Sequence, residues 1–223
     1  TKYKDRWKER TPDWKPNVYE KETDPIRAIY SRRADHIMQI GEEAPTAQPD
    51  LRPGQIVIRD LDGYVRDENG NPKVDENGRF MLLGRPDGII DEADTELIGT
   101  LDPGWMASMT NTFKYKGFDL NIMFNGMFDR IMQDPTEMDF GVNGGGIAQS
   151  GYNMLRTIKD RWTFDNPSTT RPSSYYITGT NYTAGDFFYQ KAWFIRLQNI
   201  SLGYTLPKSL LAKTKVLSNV RFH

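Results

Sequence analysis

The sequence predicts an all-β fold of antiparallel strands, and three observations carry that expectation. Apolar and polar residues alternate from Trp105 to Phe124, and again from Trp193 to Leu206. Turn-forming clusters such as Asn69-Gly70 and Asn77-Gly78 separate the short extended runs. No window reaches the ~18 apolar residues that a transmembrane helix needs. Alternation of this kind suits a membrane barrel, whose strands show alternate residues to lipid. It suits a soluble β-sandwich equally well, and periodicity does not choose between them.

Composition narrows the function classes. Lys and Arg number 29 against 30 Asp and Glu, a net charge of -1, which argues against a nucleic-acid binder. Without cysteine there are no disulfides, thiol nucleophiles or Cys-ligated metals. Two histidines, His36 and His223, argue against a multi-His metal centre. The aromatic share, 12%, is high for so polar a chain. The run Thr1-Lys2-Tyr3-Lys4-Asp5-Arg6 is charged and lacks the apolar core of a signal peptide, and Val220-Arg221-Phe222-His223 reads as the start of a strand. Both ends read as cuts within a longer polypeptide.

In chain order, residues 1–52 form a polar, Pro-rich stretch that holds Trp7 and Trp14, with a short strand expected at Asp24–Tyr30. Gln55–Arg59 alternates around Ile56 and Ile58 and reads as a strand, followed by the turn Asp60-Leu61-Asp62-Gly63. Asp67-Glu68-Asn69-Gly70 is echoed by Asp75-Glu76-Asn77-Gly78, which predicts a small β-excursion with two Asn-Gly turns. Trp105, Ala107, Met109, Phe113 and Tyr115 share one face of a strand. After a Lys116-Gly117 turn, Phe118, Leu120, Ile122 and Phe124 share one face of the next, with Asp119, Asn121, Met123 and Asn125 opposite. Both runs approach the ~9–11 residues of a membrane-crossing strand. Residues 133–186 read as a long polar connection, with Gly144-Gly145-Gly146 and a short helix from Gly151 to Trp162 capped by Ser150. In the strand from Trp193 to Leu206 the apolar phase slips between Leu197 and Ile200, which predicts a bulge near Gln198-Asn199. A connector at Ser209–Lys213 leads to a new strand at Val220.

Several separate motifs resemble one family. Asn199-Ile200-Ser201-Leu202-Gly203-Tyr204-Thr205-Leu206-Pro207, preceded by Phe194-Ile195-Arg196-Leu197, resembles a late-barrel signature of the SusC/RagA family of TonB-linked outer-membrane proteins. The stretch from Asn111 to Leu120 resembles the hairpin that precedes it there, and Asp160-Arg161-Trp162-Thr163 with Asn166-Pro167-Ser168 the loop between. Pro53-Gly54-Gln55-Ile56, Asp60-Leu61-Asp62-Gly63, Asp87-Gly88-Ile89-Ile90-Asp91 and Ile98-Gly99 are similar to an upstream aspartate-rich segment. The order and spacing hold from about Pro53 onward. Two departures stand out: residues 63–86 interrupt the aspartate-rich segment, and Ser173 follows Thr170-Arg171-Pro172 where a basic residue is expected.

The resemblance implies a partial transmembrane antiparallel β-barrel, the late strands of a ring of roughly 22 strands. On that reading residues 1–52 are an irregular loop and strand segment of the barrel. Residues 53–103 are extramembrane, with an inserted hairpin at 63–86, and 104–223 carry the late strands and the long loop 133–186. The implied function is TonB-dependent import of glycans or oligopeptides across the outer membrane of a Bacteroidetes-like Gram-negative cell. The implied partners are a SusD-like surface lipoprotein, TonB acting through a plug that this sequence does not contain, and outer-membrane lipid; nucleic acid is not among them. No enzyme motif is present: there is no nucleophile elbow, zinc motif or P-loop. The alternative is a soluble, calcium-stabilised β module that binds carbohydrate.

Three constellations are candidates for chemistry. With residues 63–86 excised, Asp60, Asp62, Asp87, the Ile89 carbonyl and Asp94 fall at calcium-loop spacing, although Asp and Gly also build ordinary turns. Asp119, Asn121 and Asn125 would line a substrate path if their apolar neighbours face lipid. The aromatic run Tyr175, Tyr176, Tyr182, Phe187, Phe188, Tyr189 and Trp193 could stack on sugars, but an interfacial girdle or packing within the loop is favoured.

Overall fold

The computed structural model describes residues 17–21, 23–142, 151–175, 184–213 and 219–223. Trp7, Trp14, Gly144-Gly145-Gly146, Ser150, Tyr176 and Tyr182 lie outside these residues. The strands are β1 (Ala28–Arg32), β2 (Ala34–Ile37), β3 (Ile56–Ile58), β4 (Thr95–Thr100), β5 (Trp105–Tyr115), β6 (Phe118–Phe128), β7 (Ile131–Gln133), β8 (Tyr189–Lys191), β9 (Phe194–Thr205) and β10 (Arg221–Phe222). The described helical segments are single turns or little more: 3-10 at Glu92–Asp94 and Arg156–Asp160, π at Glu137–Val142, and α1 at Lys208–Leu211. The fold is all-β. The chain divides into two compact units, 1–101 with 132–190, and 102–131 with 191–223.

The second unit holds an open antiparallel sheet in the order β10-β9-β6-β5. β5 and β6 pair residue for residue from Trp105↔Phe128 to Tyr115↔Phe118, so the hairpin is borne out and extends to Phe128. Lys116 and Gly117 both have positive φ, 46° and 87°, the geometry of a two-residue turn whose twist matches its strands. A side chain at Gly117 would strike the Thr205 carbonyl of β9, so the position is closed to larger residues. β6 also pairs with β9, and the register skips Gln198 between Met123↔Asn199 and Phe124↔Leu197. The expected bulge is there.

The first unit is assembled from short ladders: β1 with β4 and β2 with β3. β3 is buried on both sides. Ile56 and Ile58 enter one cluster with Ile90, Val142, Ala184 and Phe188, while Val57 joins Met38 and Leu51 in another. The strand expected at Asp24–Tyr30 starts later, at Ala28, because Pro25 accepts from the Ala28 amide in a turn. The helix expected from Gly151 to Trp162 shrinks to Arg156–Asp160. Its N-cap, Leu155, has no side-chain acceptor for the free amides.

The expected hairpin at 63–86 is instead three-sided. Bridges join Tyr64↔Leu82, Arg66↔Pro72 and Val74↔Phe80. Lys73 donates to the Val65 carbonyl at 2.7 Å, Met81 to Lys73 at 2.9 Å, and Val65 to Met81 at 2.9 Å, which closes a ring. Residues eight apart take equivalent places, so each short strand meets the other two. The corners share one design. Asp67 Oδ1 accepts from the Asn69 and Asn71 amides, and Asp75 Oδ1 from Asn77 and Arg79. The glycine after each Asn has positive φ, Gly70 83° and Gly78 72°.

Candidate functional site

The register sorts the long sheet into two faces. Directly paired residues share a face, so Trp105, Met109, Phe113 and Tyr115 of β5 lie with Phe118, Leu120, Ile122, Phe124 and Phe128 of β6. On β9, Ile200, Leu202 and Tyr204 join them below the bulge, and Ile195 and Leu197 above it. Skipping Gln198 keeps one apolar face continuous through the phase slip; without it, Ile195 and Leu197 would turn to the other side. Asn111, opposite Ile122, is this face's polar exception. The apolar side chains of β5 and most of those of β9 are exposed, Leu202 by 60% and Ile195 by 64%, where a soluble sheet would bury such a stripe; on the central β6 Leu120, Ile122, Phe124 and Phe128 are half-buried between their neighbours.

Aromatic rows close both ends of this face. At the turn end Phe118 lies 4.4 Å from Tyr204 between ring centroids, with Tyr115 paired beside it. At the other end Trp105 stacks on Phe128 at 3.8 Å between ring centroids, and the Trp193 ring lies parallel to that of Phe128 at 6.4 Å.

The opposite face carries the three path candidates, each held by a neighbouring strand. Arg221 of β10 donates to Asp119 Oδ2 at 2.5 Å, Asn121 donates to Thr112 Oγ1 at 3.0 Å, and Asn125 donates to the bulged Gln198 at 3.2 Å. The partners went unnoticed in the sequence. Counting the ladder outward from Lys116-Gly117 would have put Thr112 opposite Asn121, but Gln198 and Arg221 depend on a pairing of distant strands.

The aspartates of the first unit are committed to backbone amides. Asp60 accepts from Asp87 and Gly88, and Asp62 Oδ1 from Gly63, Gly84 and Arg85. Asp87 Oδ1 accepts from Ile89 at 3.0 Å, and Asp87 Oδ2 lies 3.9 Å from Arg66. Asp94, fully buried, accepts from Leu61, Asp62 and Asp91, the last as half of a capping box. Burial raises the Asp94 carboxyl above its ordinary range, against the pull of those three donors. Among the described residues no group of three or more Asp, Glu or His side chains is placed to hold a metal ion. The spacing noted in the sequence thus brings these residues together as a frame of loop-to-loop hydrogen bonds. Arg66 ties the inserted ring to that frame, 3.5 Å from Asp91, and its guanidinium lies 5.9 Å from the centroid of the Tyr64 ring. Burial, then Asp91 and Glu92, push the Tyr64 hydroxyl up to about 12.

The aromatic run does not act as one group. Phe188 is in the core with Phe187 against it, Tyr175 is 72% exposed, and Trp193 belongs to the aromatic row of the sheet.

No family model matches the chain. It is 26% identical to TonB-dependent receptor P3 of Formosa agariphila over 206 residues, 91% of this chain. It is also 26% identical to TonB-dependent receptor P26 of the same organism, over 60% of this chain. The chain spans 17% and 12% of the length of these two relatives. Its fold is similar to part of the RagAB peptide importer in the closed-closed state, with a TM-score of 0.53 and 22% identity over 87% of this chain and 18% of that one. A further structure of the RagAB peptide transporter gives 0.54 and 20% over the same 87%. Together these likenesses support reading the chain as a portion of a SusC/RagA-like TonB-dependent transporter.

Two of the motifs that resemble the SusC/RagA family meet in space. Gly54 has φ +89°, and a Cβ there would collide with the Trp162 ring. Gly54 also accepts from Ser173 at 2.7 Å and donates to Met38 at 2.8 Å. Trp162 is 4% exposed. A bare backbone in the left-handed region is what lets the indole close over this loop.

Proposed function

We propose that this chain forms part of the wall and outer loops of an outer-membrane importer driven through TonB. Its cargo is glycan or oligopeptide, and it works with a SusD-like surface lipoprotein. In this reading the apolar face of β5, β6 and β9 meets lipid, and Asp119, Asn121 and Asn125 line the lumen. Residues 53–103 lie outside the membrane.

The observation that carries the reading is the continuous apolar face bounded by aromatic rows. Between Phe118 and Phe128 the strand runs roughly 33 Å at about 3.3 Å per residue, and a tilt of ~40° leaves about 25 Å along the membrane normal. That is the height of the apolar band of an outer-membrane barrel, with aromatics where the lipid headgroups would be. The two-residue turn at Lys116-Gly117 and the 60-odd residues between β6 and β9 supply the short-turn and long-loop sides.

Spin labels test the faces. In the complete transporter in bilayers, labels at positions 120 and 122 should be broadened by lipid-soluble oxygen, and labels at 119 and 121 by a water-soluble nickel complex. Equal accessibility of both sets would sink the reading. Uptake of candidate glycans and peptides by cells that carry the transporter, with and without TonB, tests the activity itself.

A further inference from the structure

The polar face of the long sheet is interrupted near the end away from the turn. Met106 pairs with Met127, and Met127 with Phe194, so one apolar rung crosses three strands on the face that also carries Asp119, Asn121 and Asn125. The next rung is Ser108, Asn125 and Arg196, and Met123 lies on the rung beyond. Together Met106, Ser108, Met123, Asn125, Met127 and Phe194 line an open depression of about 300 Å³.

Two guanidiniums border it. Arg196 lies over the Phe194 ring at 5.0 Å from its centroid, and Arg130 reaches the Met127 sulfur at 3.1 Å. The Arg130 Nε has no hydrogen-bond partner. Among the described residues neither arginine has a carboxylate within ion-pair distance. Asn125, in the lining of the depression, donates to Gln198, and its Oδ1 is buried without a hydrogen-bond partner.

These features define a ligand by its chemistry. Methionine is unbranched and polarisable and fits apolar groups of varied shape. One face of Phe194 is taken by Arg196, so the ring is poorly placed to stack on a sugar. Two cations without counter-charge call for an anion, and a guanidinium matches a carboxylate through paired hydrogen bonds. An apolar group beside a carboxylate is what the C-terminal residue of a peptide presents. We infer that this depression is a subsite for a short peptide with an apolar C-terminal residue. The side chain rests on Met106, Met127 and Phe194, and the free carboxylate faces Arg130 and Arg196. The inference rests on the lumenal reading of this face.

The test is calorimetric binding to the complete purified transporter. Four probes are used: a tripeptide ending in leucine, its C-terminal amide, the same peptide ending in serine, and a glucuronate oligosaccharide. The leucine acid should bind about ten-fold more tightly than either the amide or the serine peptide, the loss expected when one apolar side chain or one charge contact is withdrawn. Met106→Ser with Met127→Ser should abolish the advantage over the serine peptide, and Met106→Leu with Met127→Leu should keep it. Arg196→Gln should abolish the advantage over the amide. Equal affinities for the leucine acid, the amide and the serine peptide would overturn the subsite, as they would if another segment of the polypeptide covers the depression. Tighter binding of the oligosaccharide, lost in Arg196→Gln, would also overturn it in favour of an acidic glycan. A failure of the lumenal reading shows separately, as loss of lipid contact at positions 120 and 122.

Discussion

Gly54 shows how much a single position can decide in the first unit. Its φ of +89° is open to glycine and costly for a residue with Cβ, and the Trp162 ring leaves no room for a methyl. Gly54→Ala should therefore cost about 2–4 kcal/mol, the sum of backbone strain and overpacking. Thermal melting and limited proteolysis of the complete transporter check this, with cleavage expected first near Gly54 or Trp162. His36 gives a pH-dependent counterpart. It lies 2.8 Å from Asp35 and 2.6 Å from Glu42, and Asp35 is held in turn by Arg59 at 2.7 Å. Partial burial lowers the His36 pKa, but the hydrogen bonds to the two carboxylates outweigh it, and the net shift is upward from 6.5. A raised folded pKa means a contribution fully present below 6.5 and lost as pH rises through the higher folded value. Amide exchange in the segment 36–42 should speed up over that range, and His36→Asn should remove the pH dependence without changing the rest of the unit. Single residues of this kind were only partly legible in the sequence. Gly54 and Trp162 stood in separate motifs, and nothing in either indicates that they touch. The aspartates were legible as oxygen donors at calcium spacing. Their amide partners are not, because every residue except proline carries the same backbone N–H.

At the scale of the element, the long strands were legible, as was the short Ile56–Ile58 within the expected Gln55–Arg59, but other short strands were not. β5, β6 and β9 repeat apolar and polar residues with period two over 11 or 12 residues, and the lone slip in β9 marks a real bulge. β2 and β7 have four and three residues, too few for a period to show. β4 pairs with β1 from Thr100↔Ala28 to Thr95↔Arg32, a pairing that no local pattern announces. The expected hairpin at 63–86 went astray for a related reason. Two similar Asn-Gly corners suggest two strands folded back, while the third side appears only when Tyr64 meets Leu82. The bulge yields a sharp prediction. Deleting Gln198 should leave Leu197 opposite Phe124 and Ile195 opposite Gly126, turning the bulge into a regular ladder with both faces kept, so that variant should retain the heat-modifiable folded band on a gel. Leu197→Arg instead places a guanidinium on the apolar face, at a cost of about 2–4 kcal/mol at mid-membrane depth, and should lose the band. Deleting a residue from the loop 151–175 should leave that band intact.

For the whole molecule, the limiting feature is the open sheet. Its order β10-β9-β6-β5 leaves an outer edge at β5 with no strand partner among the described residues. Backbone groups along such an edge cannot remain unpaired in lipid, and four strands are far from the number that closes a large ring. Residues 1–223 expressed alone should therefore aggregate or fail to insert, whereas the same residues within the complete transporter should fold. A monomeric, cooperatively melting product from the isolated chain would contradict this and favour the soluble carbohydrate-binding alternative.

The three-sided ring at 63–86 bears on how such chains change over time. Its first and last residues are neighbours: the Gly63 carbonyl accepts from Leu83 at 2.8 Å, and Asp62 reaches the Gly84 amide at 2.7 Å. A segment that leaves and returns at one point asks little of its host, since the gap it spans is the same whatever its length. It can be exchanged, lengthened or lost as a cassette, while removal of a single side would cost each of the other two one of its two partners. On the proposed placement of residues 53–103 outside the membrane, residues 63–86 are a natural place to graft a foreign epitope for surface display.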